Sequence, residues 1–142
     1  MKKGILLSLL LVVAVLLTGC AKKQSKLVCT QTTSGVDIVF NVSFKGNVVD
    51  SMDFSYNMDL SKYSDAQIEA IGKQDFCTRV KNQMASFKDA FTSCNQEITN
   101  KQLKVNSVLD VDKAAKSYFG KVSSPESAKK QLESVGYTCT IQ

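Results

Sequence analysis

The sequence predicts an α+β fold, in which a mostly antiparallel sheet carries its helices on one face. Two long segments in the first half alternate apolar and polar residues, which is the period of a half-buried strand. A later segment repeats apolar residues every three to four positions, which is typical of an amphipathic helix. Strands that precede and follow helices as groups favour α+β over α/β. The predicted element order is β-β-β-α-β-β-α-α-β.

The first three strands are predicted to form a meander. Leu27 to Thr33 is the first strand, and Ser34-Gly35 provides the turn after it. Val36 to Lys45 is the clearest alternating segment, and Gly46-Asn47 is a hairpin signal that leads to a third strand, Val48 to Met58. The apolar side of the second strand consists of Ile38, Phe40, Val42 and Phe44.

One long helix is predicted from Asp65 to about Phe91. Ser64 is its N-cap, with Gln67 in the position of a capping box, and Gly72 is a weak point at which the helix can split. The helix carries one apolar stripe: Phe76, Val80, Met84, Phe87 and Phe91. Packing on the sheet explains this stripe, and a partner-binding groove is the alternative.

Three strands and two helices are predicted in the rest of the chain. The predicted strands are Thr92 to Ile98, Leu103 to Leu109 and Tyr137 to Ile141. Two helices precede the last strand. The first runs from Val111 to Phe119, with Asp110 as its cap and Gly120 at its end. The second begins after the cap Ser124, with Pro125 at its first position, and runs to about Val135 before Gly136.

The N-terminal segment has the layout of a secretory signal. Lys2 and Lys3 precede an apolar run, Gly4 to Leu17, that is shorter than the roughly 20 residues of a spanning helix. Leu17-Thr18-Gly19-Cys20 resembles the lipobox of bacterial lipoproteins. The resemblance implies cleavage between Gly19 and Cys20, a diacylglyceryl thioether on the Cys20 sulfur and acylation of the new N-terminus by a fatty acid such as palmitate. An uncleaved spanning anchor with an incidental cysteine is the alternative.

The chain therefore divides into three predicted parts. Residues 1–19 are the lipoprotein signal peptide, residues 20–26 are the lipidated cysteine and a polar tether, and residues 27–142 are a single globular domain. The protein is expected at the cell membrane, held by lipid and facing outside the cytoplasm. The tether lysines either contact anionic headgroups or are simply solvated. The formal charge falls from +5 to +3 when Lys2 and Lys3 leave with the signal.

Four cysteines remain after Cys20, and an even number in an exported domain indicates disulfides. Free thiols and metal ligation are the alternatives, although no C-x-x-C spacing is present. Cys29 and Cys139 lie in predicted strands at the two ends of the domain, whereas Cys77 and Cys94 are separated by a helix end and a turn. Of the three possible connectivities we predict Cys29–Cys139 and Cys77–Cys94.

The composition argues against several kinds of catalytic and metal site. The chain contains no histidine, which removes the commonest general base and metal ligand, and no tryptophan. Asp50 and Asp53 are three positions apart on a strand and so face opposite sides, which argues against a paired acid–base site. Asp110 and Asp112 are explained by helix capping. We predict no catalytic residue, no cofactor, no metal and no nucleic-acid partner.

The lipobox, basic tether, meander and following helix together are similar in layout to the YehR-like small bacterial lipoproteins, a resemblance that implies no particular activity. We predict a non-enzymatic binding or protein-interaction module with an unknown envelope ligand or protein partner. The alternative is an envelope hydrolase or transferase that uses carboxylates without histidine. The tyrosines are candidates to line a cleft, and a place at the rim of the core is the alternative. They are Tyr56, Tyr63, Tyr118 and Tyr137.

Overall fold

A computed structural model describes residues 22–114 and 124–142 and contains one six-stranded sheet. The strands are β1 (Gln24–Thr33), β2 (Val36–Lys45), β3 (Val48–Asp59), β4 (Phe91–Thr99), β5 (Gln102–Leu109) and β6 (Thr138–Ile141). Their order across the sheet is β4-β5-β3-β2-β1-β6, and all five pairings are antiparallel. The α+β class and the antiparallel sheet are therefore confirmed.

One face of this sheet is apolar and forms the core. Alternation along β2 places Phe40, Val42 and Phe44 on this face, each at most 2% exposed. The opposite face carries short polar side chains, such as Asn41, whose amide donates a 2.8 Å hydrogen bond to the Asp53 carboxylate on β3. A sheet with one polar face needs helices on the other face only, which is where the buried helical side chains lie.

The helices in the described residues are α1 (Asp65–Gly72), α2 (Phe76–Gln83), α3 (Val111–Ala114) and α4 (Pro125–Glu133), and a 3₁₀ helix follows α2 at Ala85–Ala90. None of them is long and apolar enough to cross a bilayer. Their ends agree well with the predicted caps: Ser64 forms a capping box with Gln67, and Ser124 forms one with Ser127.

The single long helix predicted from Asp65 to Phe91 is wrong, and so is the predicted element order. The chain forms α1, α2 and a 3₁₀ helix there, so the order is β-β-β-α-α-β-β-α-α-β with the 3₁₀ helix before β4. The split follows Gly72 because Asp75 caps a new helix: its carboxylate accepts a 2.9 Å hydrogen bond from the Thr78 amide. α2 then ends at Gln83, because the backbone of its C-cap Met84 (φ −93°, ψ 54°) is not helical.

The first strand begins earlier than predicted. β1 begins at Gln24, three residues before Leu27, because β2 extends to Lys45 and supplies partners for the extra residues. Gln24 pairs with Lys45, and the Gly46 amide donates to the Lys23 carbonyl at 2.8 Å. Most of the segment predicted as a tether therefore belongs to the sheet or contacts it.

Two disulfides crosslink the domain, and their pairing is the predicted one. Cys29 on β1 is joined to Cys139 on β6, directly opposite in the register, and both residues are buried. Cys77 on α2 is joined to Cys94 on β4, and both are only half-buried. The first bond thus lies within the sheet, whereas the second holds a helix against the sheet edge.

Candidate functional site

The predicted lipidation and cleavage residues, Gly19 and Cys20, lie outside the described residues, as do Tyr118, Phe119 and Gly120. The predicted disulfide residues are structural and lie at two separate places in the fold. Within the described ranges no group of three or more cysteine or acidic side chains could hold a metal ion. A candidate site must therefore be sought among the surface cavities.

One cavity is lined mainly by apolar side chains and lies over the middle of the sheet, between the end of α2 and the end of α4. Its volume is about 220 Å³. We call it the Phe40 groove, and its lining residues are Phe40, Gln83, Met84, Ala85, Phe87, Leu132, Val135 and Tyr137. No charged side chain is among them.

The floor of the Phe40 groove is aromatic. Phe40 is on the covered face of β2, and its ring centroid lies 6.0 Å from that of Phe87 in the 3₁₀ helix. The Phe54 ring on β3 contacts Phe40 edge-on, at 6.3 Å between centroids. These contacts fix the Phe40 ring from two sides, so the floor is rigid and apolar.

The walls exist because two helices end at this point. At one wall, α2 ends at Gln83, and the Phe87 amide donates to the Met84 carbonyl at 2.8 Å to begin the 3₁₀ turn. At the other wall, α4 places Leu132 on the core, and the chain then turns at Gly136 (φ +97°). Glycine suits that position because a left-handed backbone strains other residues. The Tyr137 amide donates to the Leu132 carbonyl at 3.2 Å, which sets the start of the last strand.

The rim of the groove is accessible at Val135, which is 49% exposed. Sequence reasoning placed Phe40, Met84 and Phe87 on core faces but did not single out Leu132 or Val135. Ala128, Leu132 and Val135 are spaced by four and three residues, the same periodic signal that identified the earlier helix stripe. Applied to the last helix, that signal predicts an apolar face here.

Most of the predicted helix stripe packs in the core, which agrees with the interpretation that it packs on the sheet. Phe76, Val80 and Phe87 are buried, and Met84 and Phe91 are partly buried against the core. The break at Met84 separates the stripe into two parts. Only the second part, from Met84 onward, contributes to the Phe40 groove.

The carboxylates do not form a pair at a cavity. Asp50 borders a polar cavity of about 350 Å³ at one end of the sheet, and Asp75 borders two shallow cavities beside α2. Each of these cavities contains one acidic side chain, and the Phe40 groove contains none. The described cavities therefore offer no acid–base pair to the hydrolase or transferase hypothesis.

The acids with shifted pKa values have structural roles. Backbone and side-chain hydrogen bonds from Ser61 lower the pKa of Asp59, which begins the turn after β3. Hydrogen bonds from the Thr78 side chain and amide lower the pKa of Asp75, the N-cap of α2. Burial raises the pKa of the Tyr56 phenol, opposed by the positive charge of Arg79. None of these three residues lines the Phe40 groove.

Comparison with known proteins adds little. No protein-family model matches the chain, and no curated protein matches it. Among solved structures, the chain is similar to one described as the NMR structure of the protein from Streptococcus pneumoniae TIGR4. The two share 15% sequence identity with a TM-score of 0.46, over 83% of this chain and 84% of the other. A likeness at this level carries no argument about function.

Proposed function

We propose that this protein is an extracytoplasmic lipoprotein whose domain is a protein-interaction module. Lipid on Cys20 holds it to the membrane, and the Phe40 groove receives an apolar side chain of a partner protein. The observation that carries the binding proposal is the groove itself, an uncharged apolar cavity whose rim is accessible at Val135.

Three features support the anchor. The segment from Lys2 to Cys20 has the charge, length and final residues of a lipoprotein signal. The sheet begins at Gln24, only four residues after Cys20, so a lipid there holds the domain directly at the membrane surface. Two disulfides suit an oxidising compartment outside the cytoplasm. A diacylglyceryl group supplies the two chains that stable anchoring requires.

The size of the groove favours a side chain over a complete small ligand. Small-molecule sites usually enclose about 300–1,000 Å³, and the Phe40 groove has about 220 Å³. A single aromatic or branched side chain, inserted as an anchor between α2 and α4, is the better match. Such anchors in fully desolvated pockets provide much of the affinity of protein interfaces.

Intact-mass measurement of the protein from membranes tests the anchor. The expected mass is that of residues 20–142 plus a diacylglyceryl group and an N-acyl chain. Cys20→Ala is expected to abolish both lipidation and cleavage, so the variant retains its first nineteen residues. An uncleaved spanning anchor predicts instead that the wild type already retains them, and that outcome would refute the lipoprotein proposal.

A matched pair of valine variants tests the groove. Val135 at the rim is 49% exposed, and Val108 on the open polar face of the sheet is 48% exposed. Each is changed to aspartate, and proteins crosslinked to the domain in intact cells are compared with those of the wild type. We expect Val135→Asp to lose a specific partner, because it places a charge at an apolar site, while Val108→Asp retains it.

Two outcomes would refute this proposal. If both variants retain every crosslinked partner, the Phe40 groove is not the binding site. If no protein depends on Val135 but a small apolar molecule co-purifies in a Val135-dependent manner, the site binds a small ligand and the protein-partner proposal is wrong.

A further inference from the structure

At one end of the sheet, the β2–β3 hairpin and the start of β1 extend past the strands that flank them. β5 ends at Leu109, which pairs with Met52, four positions short of Val48 at the start of β3. On the other side, β6 ends at Ile141, which pairs with Leu27, and Gln142 exchanges two backbone hydrogen bonds with Lys26. Since a strand rises by about 3.3 Å per residue, the β2–β3 hairpin extends on the order of 10 Å past β5, and the start of β1 extends about 7 Å past Gln142.

The N-terminal segment is attached to the tip of this hairpin. The Gly46 amide donates to the Lys23 carbonyl at 2.8 Å, and side-chain carbons of Lys22 lie 3.9 and 4.0 Å from the position that a Cβ on Gly46 would occupy. Lys22 is two residues from Cys20. An extended chain spans at most about 3.6 Å per residue, so two residues of chain reach no farther than about 7 Å. A lipid on Cys20 therefore brings the hairpin tip to the bilayer surface.

The residues at this end have the composition of a membrane-contacting surface. We call it the basic hairpin end, and it consists of Lys22, Lys23, Lys26, Lys45 and Val48. All four lysines are exposed, and Val48, at 61%, has the highest exposed fraction of any large apolar residue described. Exposed lysines around an apolar tip suit a surface that offers anionic headgroups above hydrocarbon.

The acidic groups nearby leave this charge mostly uncompensated. Asp50 forms a 2.8 Å ion pair with Lys45, so Lys45 is the one lysine of the set with a carboxylate partner among the described residues. Asp110 and Asp112 follow β5, which lies two strands from β2 and stops short of the hairpin tip. The positive charge is thus concentrated at the corner formed by β1 and β2.

We propose that the basic hairpin end docks on an anionic lipid surface and fixes the orientation of the domain on the membrane. This inference rests on the proposed lipid anchor at Cys20. In the docked state Val48 and the lysines lie at headgroup level. The Phe40 groove rim at Val135 then points away from the bilayer, because Gly136 lies against Gln31, near the far end of β1.

The absence of tryptophan from the chain allows a direct test. Val48→Trp and Val135→Trp each introduce one tryptophan at an exposed valine, the first at the hairpin tip and the second at the opposite end. The lipidated mature proteins, residues 20–142, are reconstituted into phosphatidylcholine vesicles, with or without phosphatidylglycerol, that contain brominated lipid as a contact quencher. We expect quenching and a blue shift for Val48→Trp, strongest with phosphatidylglycerol, and neither for Val135→Trp.

Replacing Lys22, Lys23 and Lys26 with glutamine in the Val48→Trp protein tests the charge component. Each replacement is expected to lower the ratio of docked to undocked protein by up to about fivefold on phosphatidylglycerol vesicles, with little change on neutral ones. These side chains are exposed, so the fold is not at risk, and circular dichroism provides the check.

Each other outcome overturns the inference. Equal quenching at the two positions, or none at either, shows that the domain has no fixed orientation. Quenching of Val48→Trp that is the same on both lipids shows that anionic headgroups are not recognised. If mass measurement before reconstitution finds no lipid on Cys20, the anchor proposal fails and the docked geometry fails with it, whereas a lipidated protein without quenching refutes the docking alone.

Discussion

The two disulfides hold opposite sides of the sheet in different ways. Cys29–Cys139 joins neighbouring strands, is buried, and closes a loop with a sequence separation of 110. Cys77–Cys94 joins α2 to the edge strand β4, is half-buried, and has a sequence separation of 17. The first bond brings the two ends of the domain together, and the second holds one helix in place.

The difference extends to the surroundings of each bond. On the β4 side, Gln96 holds the start of α2 independently of the disulfide. Its side-chain carbonyl accepts a 2.8 Å hydrogen bond from the Phe76 amide, and its amide group donates to the Gln74 carbonyl at 2.8 Å. On the β6 side, the short strand depends on β1 and on α4 for its position. Loss of the long-range bond should therefore affect stability more than loss of the local one.

The largest effect is expected for Cys29→Ala combined with Cys139→Ala. Without this disulfide the unfolded chain gains conformational entropy. In the chain-entropy model, this gain lowers the free energy of unfolding by about 5 kcal/mol for a loop of this length. The two buried sites also lose packing, which adds to the cost. Urea unfolding of the purified domain measures the free energy of unfolding. If this double variant loses no more free energy of unfolding than the Cys77/Cys94 double variant does, the comparison is contradicted.

A smaller effect is expected for Cys77→Ala combined with Cys94→Ala, about 3 kcal/mol at most by the same reasoning. Gln96 keeps the start of α2 attached, so far-ultraviolet circular dichroism should change little at room temperature. In the wild type, Cys77–Cys94 should also be the first bond reduced by dithiothreitol, because its residues are more accessible. Alkylation followed by peptide mass measurement gives the order, and earlier reduction of Cys29–Cys139 would contradict this assignment.

The smallest effect, with the opposite sign, is expected for Ser107→Ala. Ser107 is 2% exposed on β5, between Phe54 and Cys94 in the register, and its hydroxyl has no hydrogen-bond partner among the described residues. Removing a buried hydroxyl that lacks a partner should stabilise the fold by about 1 kcal/mol. Ser55→Ala on the open face is the control, with a change close to zero. A destabilised Ser107→Ala variant would show that the hydroxyl has a favourable interaction.

Much of the fold follows from local sequence signals. The strand periods, the Ser64 and Ser124 caps and the hairpin turns could be predicted because each depends on residues adjacent in the chain. The break in the long helix could be predicted only in part. Gly72 marked a weak point, and the Asp75 cap is a further local signal, which the prediction missed. The support from Gln96, twenty residues after Phe76, depends on α2 packing against β4.

The candidate site was less predictable than the fold. Phe40, Phe87 and Leu132 come from three elements far apart in sequence, and a cavity between them depends on where helices end rather than on the apolar period within each helix. Sequence patterns show which side chains turn inward. They do not show where the packed layers leave space, because that depends on distances between elements.

The sequence by itself determined the approximate positions of the strands, the Ser64 and Ser124 caps, the antiparallel class and the expectation of a lipid anchor at Cys20. These features depend on local periodicity, on turn and capping chemistry and on covalent motifs. The tertiary structure alone decided the strand order, the Phe40 groove and the contact between Lys23 and Gly46. Each of these depends on packing or hydrogen bonding between residues distant in the chain, for which a single sequence carries no local signal.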